Sequence, residues 1–273
     1  MKKLMFAIVA VASVAMLRAQ APSPTFDVAA IKQNKSGAEN GGFGGPAGRW
    51  TATNVPLRQF IVFAYQVPAF QIVGLPDWAI SDRWNINARS ERQFPPNPGE
   101  LQPNPTVPML RALLEDRFKL VAHMEKRQAP IYELVIARQD KTLGPEIHKS
   151  VVDCAALLAR SARGERLPQL EPGKMICGLN VNPGRINGGA QPMSRLAQML
   201  QGPLQRVVID RTGLTDVYDF TVTYAADTSA GAADANVPSL FTALQEQLGL
   251  RLDSTRAPVD TLIIDSVSRP TED

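Results

Sequence analysis

Apolar side chains recur along this chain in two rhythms. Leu57, Phe60, Ile61 and Ala64 fall on one face at helical spacing; Pro56 opens the run, Asn54 is placed to cap it, and Pro68 closes it. Trp84, Ile86 and Ala88 alternate with polar neighbours, which predicts a half-buried strand over Asp82 to Ala88. Phe26 to Ile31, Arg49 to Thr53 and Gln71 to Val73 read as further strands. Leu110, Leu113, Leu114 and Phe118 read as the buried stripe of a second helix. Lys119 to Glu125 and Ile131 to Ala137 flank Ala129-Pro130 and predict a closing hairpin.

The series then returns. Arg49, Pro56, Leu57 and Phe60 reappear 136 residues later as Arg185, Pro192, Met193 and Leu196. Val107-Pro108-Met109-Leu110 reappears 130 residues later as Val237-Pro238-Ser239-Leu240, and Ala129-Pro130-Ile131 is followed in kind by Ala257-Pro258-Val259. Trp84 and Ile86 find counterparts in Tyr218 and Phe220. Ordered similarity at a fixed period marks one supersecondary unit used twice. The expected fold class is α+β: two tandem related units, each roughly β-α-β-β-α-β-β, with an extra N-terminal strand. The expected boundaries are a signal peptide over 1–19, a first repeat over 20–145, a connector over 146–184 and a second repeat over 185–273.

Export follows from the N-terminus. Lys2-Lys3, an apolar run from Leu4 to Leu17, and Arg18-Ala19-Gln20-Ala21 have the charge, apolar stretch and small residues of a secretory signal, with cleavage after Ala19. The apolar run is shorter than the roughly 20 residues that span a bilayer, and no later segment is apolar for long enough. Lys2, Lys3 and Arg18 account for the whole formal charge of +3, so the mature chain is formally neutral. Nucleic acid and acidic membrane surfaces call for a concentrated basic patch, and neither is expected as a partner. Cys154 and Cys177 are the two cysteines, and in an oxidising compartment they pair. Zinc takes about four ligands at characteristic spacings, and neither cysteine has a second cysteine or histidine close by. No metal, cofactor or catalytic residue is therefore expected.

Several local signals are structural on this reading. Gly41 to Gly48 has no Gly-Lys-Ser/Thr after it and leads into a strand, so it reads as a connector and not as a phosphate loop. Asn34-Lys35-Ser36 has the form of a glycosylation acceptor. His123 belongs on an exposed strand face and His148 in the connector. Asp77 and Asp82 flank one turn. Asp210, Asp216 and Asp219 lie in the corresponding region of the second repeat, where Asp210-Arg211-Thr212-Gly213 has turn composition.

Four segments carry a resemblance: Phe26 to Lys32, Pro108 to Leu120, Val208 to Leu214 and Pro238 to Leu250. Together they make the chain resemble an uncharacterised secreted domain family expanded in Solibacter-type acidobacteria. That domain also occurs behind membrane-bound peptidases of the beta-lactam sensor type, so the resemblance implies an extracytoplasmic sensing or binding role and supplies no catalytic residues. The element order, with Asn54-Val55-Pro56-Leu57, is also similar to the short N-terminal domain of secretins and TonB-dependent receptors. The expected function is non-enzymatic recognition of a peptide or envelope partner, with Ile131 to Ala137 and Thr261 to Val267 as candidate edges for strand addition. The alternatives are an exported hydrolase using a carboxylate from each repeat, Asp82 and Asp216, and a structural component of an envelope complex. Export predicts a mature chain starting at Gln20. Intact mass of protein from the periplasm of an expressing bacterium checks this, and protein that retains residues 1–19 and sediments with membranes would contradict it.

Overall fold

The computed structural model describes residues 25–38, 40–45, 49–90, 106–165, 175–225 and 237–271. The expected signal peptide, 1–19, lies outside the described residues, as does most of the Pro/Asn-rich stretch from Phe94 to Pro108, whose composition predicts a loop. The protein is α+β. Its first half runs β1 (Val28–Asn34), β2 (Gly42–Gly44), β3 (Arg49–Pro56), α1 (Leu57–Tyr65), β4 (Ile72–Val73), α2 (Trp78–Ser81), β5 (Arg83–Arg89), α3 (Thr106–Arg117) and β6 (Val121–Ile136). The second runs β7 (Ile147–Lys149), α4 (Cys154–Ala162), β8 (Gly178–Asn182), β9 (Arg185–Pro192), α5 (Met193–Leu204), β10 (Val208–Asp210), β11 (Val217–Thr223), α6 (Leu240–Ala243) and β12 (Leu250–Ser266).

The chain forms two compact units. The first holds the described residues through Gln66, together with Pro76–Val121 and those from Ser266 onward; the second holds Val67–Leu75 and Ala122–Asp265. These units are cut differently from the linear boundaries at 145 and 185, because β4 pairs with β12 and so belongs to the second unit.

In the first unit an antiparallel sheet of order β1-β5-β3-β2 is covered by helices. Helix α1 buries Leu57, Phe60, Ile61 and Ala64, the residues its spacing singles out. Each fully buried large side chain contributes about 1.5–3 kcal/mol relative to exposure. Helix α3 is tied to α1 by Arg111, whose Nε donates to the Ala64 carbonyl at 2.6 Å while its guanidinium stacks over Tyr65. Asn54 does not cap α1. The helix begins after Pro56, which leaves Asn54 too far upstream. It sits instead in the left-handed region, φ 57°, where β3 slips register between Ala52 and Val55. There it is buried, and its Nδ2 donates to the carbonyls of Ala38 and Asn40.

The second unit repeats the sheet arrangement in the order β7-β11-β9-β8, antiparallel throughout. Helix α5 buries Met193, Leu196, Ala197 and Leu200. Helix α6 continues through Leu244–Leu248 as a π-helical turn that buries Leu244 and Leu248. The stretch 146–184 is more than a connector, since it supplies β7 and β8. Three and five residues gave too short an alternation to read. The Cys154–Cys177 disulfide is present and joins the first residue of α4 to the residue before β8.

A further sheet of order β10-β6-β12-β4 lies in the second unit. Its two long strands correct the hairpin expectation: Val121–Ile136 and Leu250–Ser266 each run without a turn. His123 meets Asp265, Arg256 meets the Gln128 carbonyl, and the Ala137 amide meets the Gly249 carbonyl, so the strands pair antiparallel. Pro130 and Pro258 lie outside the stretches where a third strand joins, which are Tyr132–Leu134 beside β10 and Leu262–Ile263 beside β4. A proline there keeps extended φ without breaking a ladder on both sides. The expected free edges are overturned by the same pairing, because β6 and β12 each have a strand on either side at those segments.

The disulfide closes a loop with a sequence separation of 23. Replacing both cysteines with alanine should lower unfolding stability by about 3 kcal/mol, read from urea denaturation followed by circular dichroism. A variant as stable as the oxidised parent would contradict this.

Candidate binding cavity on the second sheet

Strand β9 carries two glycines at positions where a side chain does not fit. A Cβ on Gly188 would lie 2.3 Å from the Phe220 ring, and one on Gly189 would lie 2.3 Å from the Met175 carbonyl oxygen. The next residue, Ala190, takes a left-handed conformation at φ 49°, a costly choice for a residue with a Cβ. Its amide donates to Asp219 Oδ1 at 2.7 Å. Asp219 stands on β11 at the position where the pairing with β9 slips. The first unit contains the same device: Asn54, also left-handed, donates its amide to Asn85 Oδ1 on β5 at 2.9 Å. One Asp219 oxygen is therefore committed to the backbone.

Asp219 also lines a cavity of about 340 Å³ in the second unit. It is lined by Asn187, Gly188, Asp219 and Thr221 of the sheet, by the apolar Val152, Met175 and Ile176, and by Glu146 and His148. Thr221 donates its hydroxyl to Asn187 Oδ1 at 3.1 Å, and Arg185 Nε donates to the same oxygen. The Thr221 amide donates to the Glu146 carbonyl, which fixes the backbone from which the Glu146 side chain projects. Val152 precedes Cys154 by two residues and Ile176 immediately precedes Cys177, so the disulfide fastens the two apolar walls to each other.

His148 and Asp219 are cross-strand partners on β7 and β11. Their Nε2 and Oδ2 atoms are 3.5 Å apart, and His148 is 73% exposed. That separation is longer than a hydrogen bond that would orient an imidazole as a base. The Thr221 hydroxyl is directed to Asn187 and not to His148. The arrangement places fixed donors and acceptors beside apolar side chains. Among the described residues no group of three histidine, cysteine or acidic side chains could hold a metal ion.

The other residues singled out by sequence are held elsewhere. Asp82 pairs with Arg269 at 2.9 Å in the first unit, and that guanidinium lies over Trp78. Asp216 pairs with Lys149 at 2.8 Å in the second unit and holds the Lys149 ammonium above its ordinary range through a hydrogen bond and its charge. Each of the two acids weighed for hydrolysis thus has a basic partner within its own unit. The Asp77 carbonyl accepts the amides of Ile80 and Ser81 in α2. Asp210 accepts both the amide and the hydroxyl of Thr212, completing a turn. His123 is exposed and pairs with Asp265 at 2.8 Å. Gly42–Gly44 forms a strand against β3 and not a phosphate loop, and Asn34 donates to Asn85 Oδ1.

The family model described as "Protein of unknown function (DUF3738)" matches residues 58–267. The chain belongs to the DUF3738 family. No curated protein and no solved structure matches it. The DUF3738 match spans α1 to β12 and includes every residue that lines the cavity. Sequence reading placed Asp219 among turn acids. The usable signal was its position between Tyr218 and Phe220, which puts it on the sheet face opposite the core.

Asp219→Asn keeps an acceptor for the Ala190 amide, as Asn85 does for Asn54, and should change stability by less than about 1 kcal/mol. Asp219→Ala should cost about 1–3 kcal/mol by orphaning that amide. Chemical denaturation of both variants checks this, and equal losses would contradict the assigned role.

Proposed function

We propose that this DUF3738 protein is an exported, non-enzymatic binding protein that receives a segment of a peptide or envelope partner in the cavity of its second unit. The observation that carries the reading is the fastening of that cavity. A backbone-bonded acid, a threonine–asparagine pair and a disulfide-linked apolar wall are each positioned by the fold before any ligand arrives. Preformed sites of about 300–1,000 Å³ with a few fixed polar groups suit binding. The disulfide also supports export, since such bonds persist in oxidising compartments. No described helix is long and apolar enough to cross a membrane, in keeping with a chain that acts after release from its signal segment.

The unit itself is read as a duplication. Support comes from two sheets with the same antiparallel order and from the left-handed residues Asn54 and Ala190, which lie 136 positions apart and are held alike. Two parallel pairings add to it: Ile72 sits beside Leu262, and Val208 beside Tyr132. On this reading β4 and β10, each following the first long helix of its repeat, pair with the long strand of the other repeat.

The test is selection of peptides displayed on phage against the oxidised mature protein, Gln20 to Asp273, with affinities then measured against Val152→Trp, which fills the cavity from a loop. At least a tenfold loss of affinity is expected. Binders whose affinity is unchanged in Val152→Trp would remove the cavity from the account, and an absence of binders to protein with a native circular dichroism spectrum would contradict the binding role.

A further inference from the structure

The cavity described above has a chemical bias, and the following rests on the proposal that it is the binding site. Two carboxylates line it, Glu146 and Asp219. Glu146 is exposed and its carboxylate has no hydrogen-bond or ion-pair partner among the described residues. Asp219 Oδ1 is taken by the Ala190 amide, which leaves Oδ2 facing His148 at 3.5 Å. His148 adds a positive charge only when protonated. Arg185 is bonded to Asn187 Oδ1 but does not itself line the cavity.

Asn187 supplies an independent observation. The residue is 6% exposed, and its Oδ1 accepts from both Thr221 and Arg185. The two donors fix the orientation of the amide. Nδ2 is then left without a protein partner among the described residues, on a residue that lines the cavity. Unlike Trp84 Nε1, this donor is not sealed from solvent, and the carbonyl of a ligand can take its hydrogen bond in place of water. Val152, Met175 and Ile176 meanwhile provide an apolar wall suited to a methylene stem.

We infer that the cavity accepts a basic side chain of a peptide. The ammonium or guanidinium lies between Glu146 and Asp219, the stem lies against Val152, Met175 and Ile176, and a carbonyl of the peptide accepts from Asn187 Nδ2. The recognition is charge-assisted and so discriminates against an uncharged chain of the same length.

The experiment uses the oxidised mature protein and three probes: Nα-acetyl-lysine methylamide, Nα-acetyl-arginine methylamide and the uncharged Nα-acetyl-norleucine methylamide. Backbone amide shifts are followed by NMR during titration. The basic probes should move the amides of Asn187, Gly188 and Thr221 and should bind at least tenfold more tightly than the norleucine probe. Glu146→Gln combined with Asp219→Asn should abolish that preference; Asp219→Asn retains the acceptor for Ala190, so unchanged core shifts show that the fold is intact. Equal affinity for all three probes, or an unchanged preference in the double variant, overturns the basic class while leaving a cavity that binds. Shifts absent from the cavity with every probe also overturn it, and the binding role itself then stands or falls on the peptide selection.

Discussion

The geometry of the second unit depends on one hydrogen bond, from the Ala190 amide to Asp219 Oδ1. Strand β9 carries Gly188 and Gly189 where neighbouring atoms leave no room for a side chain, and it leaves regular extension at the residue that follows them. That departure places Ala190 at positive φ and turns its amide away from the ordinary ladder. A buried amide without a partner is expensive, so the bend needs an acceptor from outside the strand. Asp219 supplies it, and with one oxygen so engaged the carboxylate cannot turn freely. The same constraint leaves the second oxygen beside His148, on a residue that lines the cavity.

The first unit meets the problem with a neutral amide. Asn85 accepts the amide of Asn54, and Asn54 uses its own side chain to hold the carbonyls of Ala38 and Asn40. Asparagine and aspartate satisfy the backbone equally well at this position, but only the second unit gains a charge. It also gains a disulfide-linked wall, since Met175 and Ile176 pass over β9 just before Cys177. The two units share a sheet plan, and the carboxylate and the wall are peculiar to the second.

Much of the fold was legible because long periodic signals survive tertiary context. The stripes of α1 and α5 and the alternation of Trp84, Ile86 and Ala88 are buried as their spacing requires. Prolines misled at two places: Ala129-Pro130 and Ala257-Pro258 read as turns, yet each lies within one long strand at a point where a third strand is missing. Whether a strand can tolerate proline depends on its neighbours, which a local pattern does not reveal. β7 and β8 were missed because each is short and α4 separates them. The disulfide was legible from the count of two cysteines and the compartment expected for the chain. The cavity was not, because it assembles residues from 145 to 221 whose only common property is their place around the polar face of one sheet.

The most direct test of this account is amide hydrogen exchange of the oxidised protein, resolved by NMR at Ala190 and Asn54. Both amides are predicted to exchange as slowly as those of the neighbouring core strands, since each is buried and donates to a side chain on the adjacent strand. Rapid exchange at Ala190 with slow exchange in the rest of β9 would contradict the account, because Asp219 would then be unconstrained and the cavity would lack its fixed carboxylate.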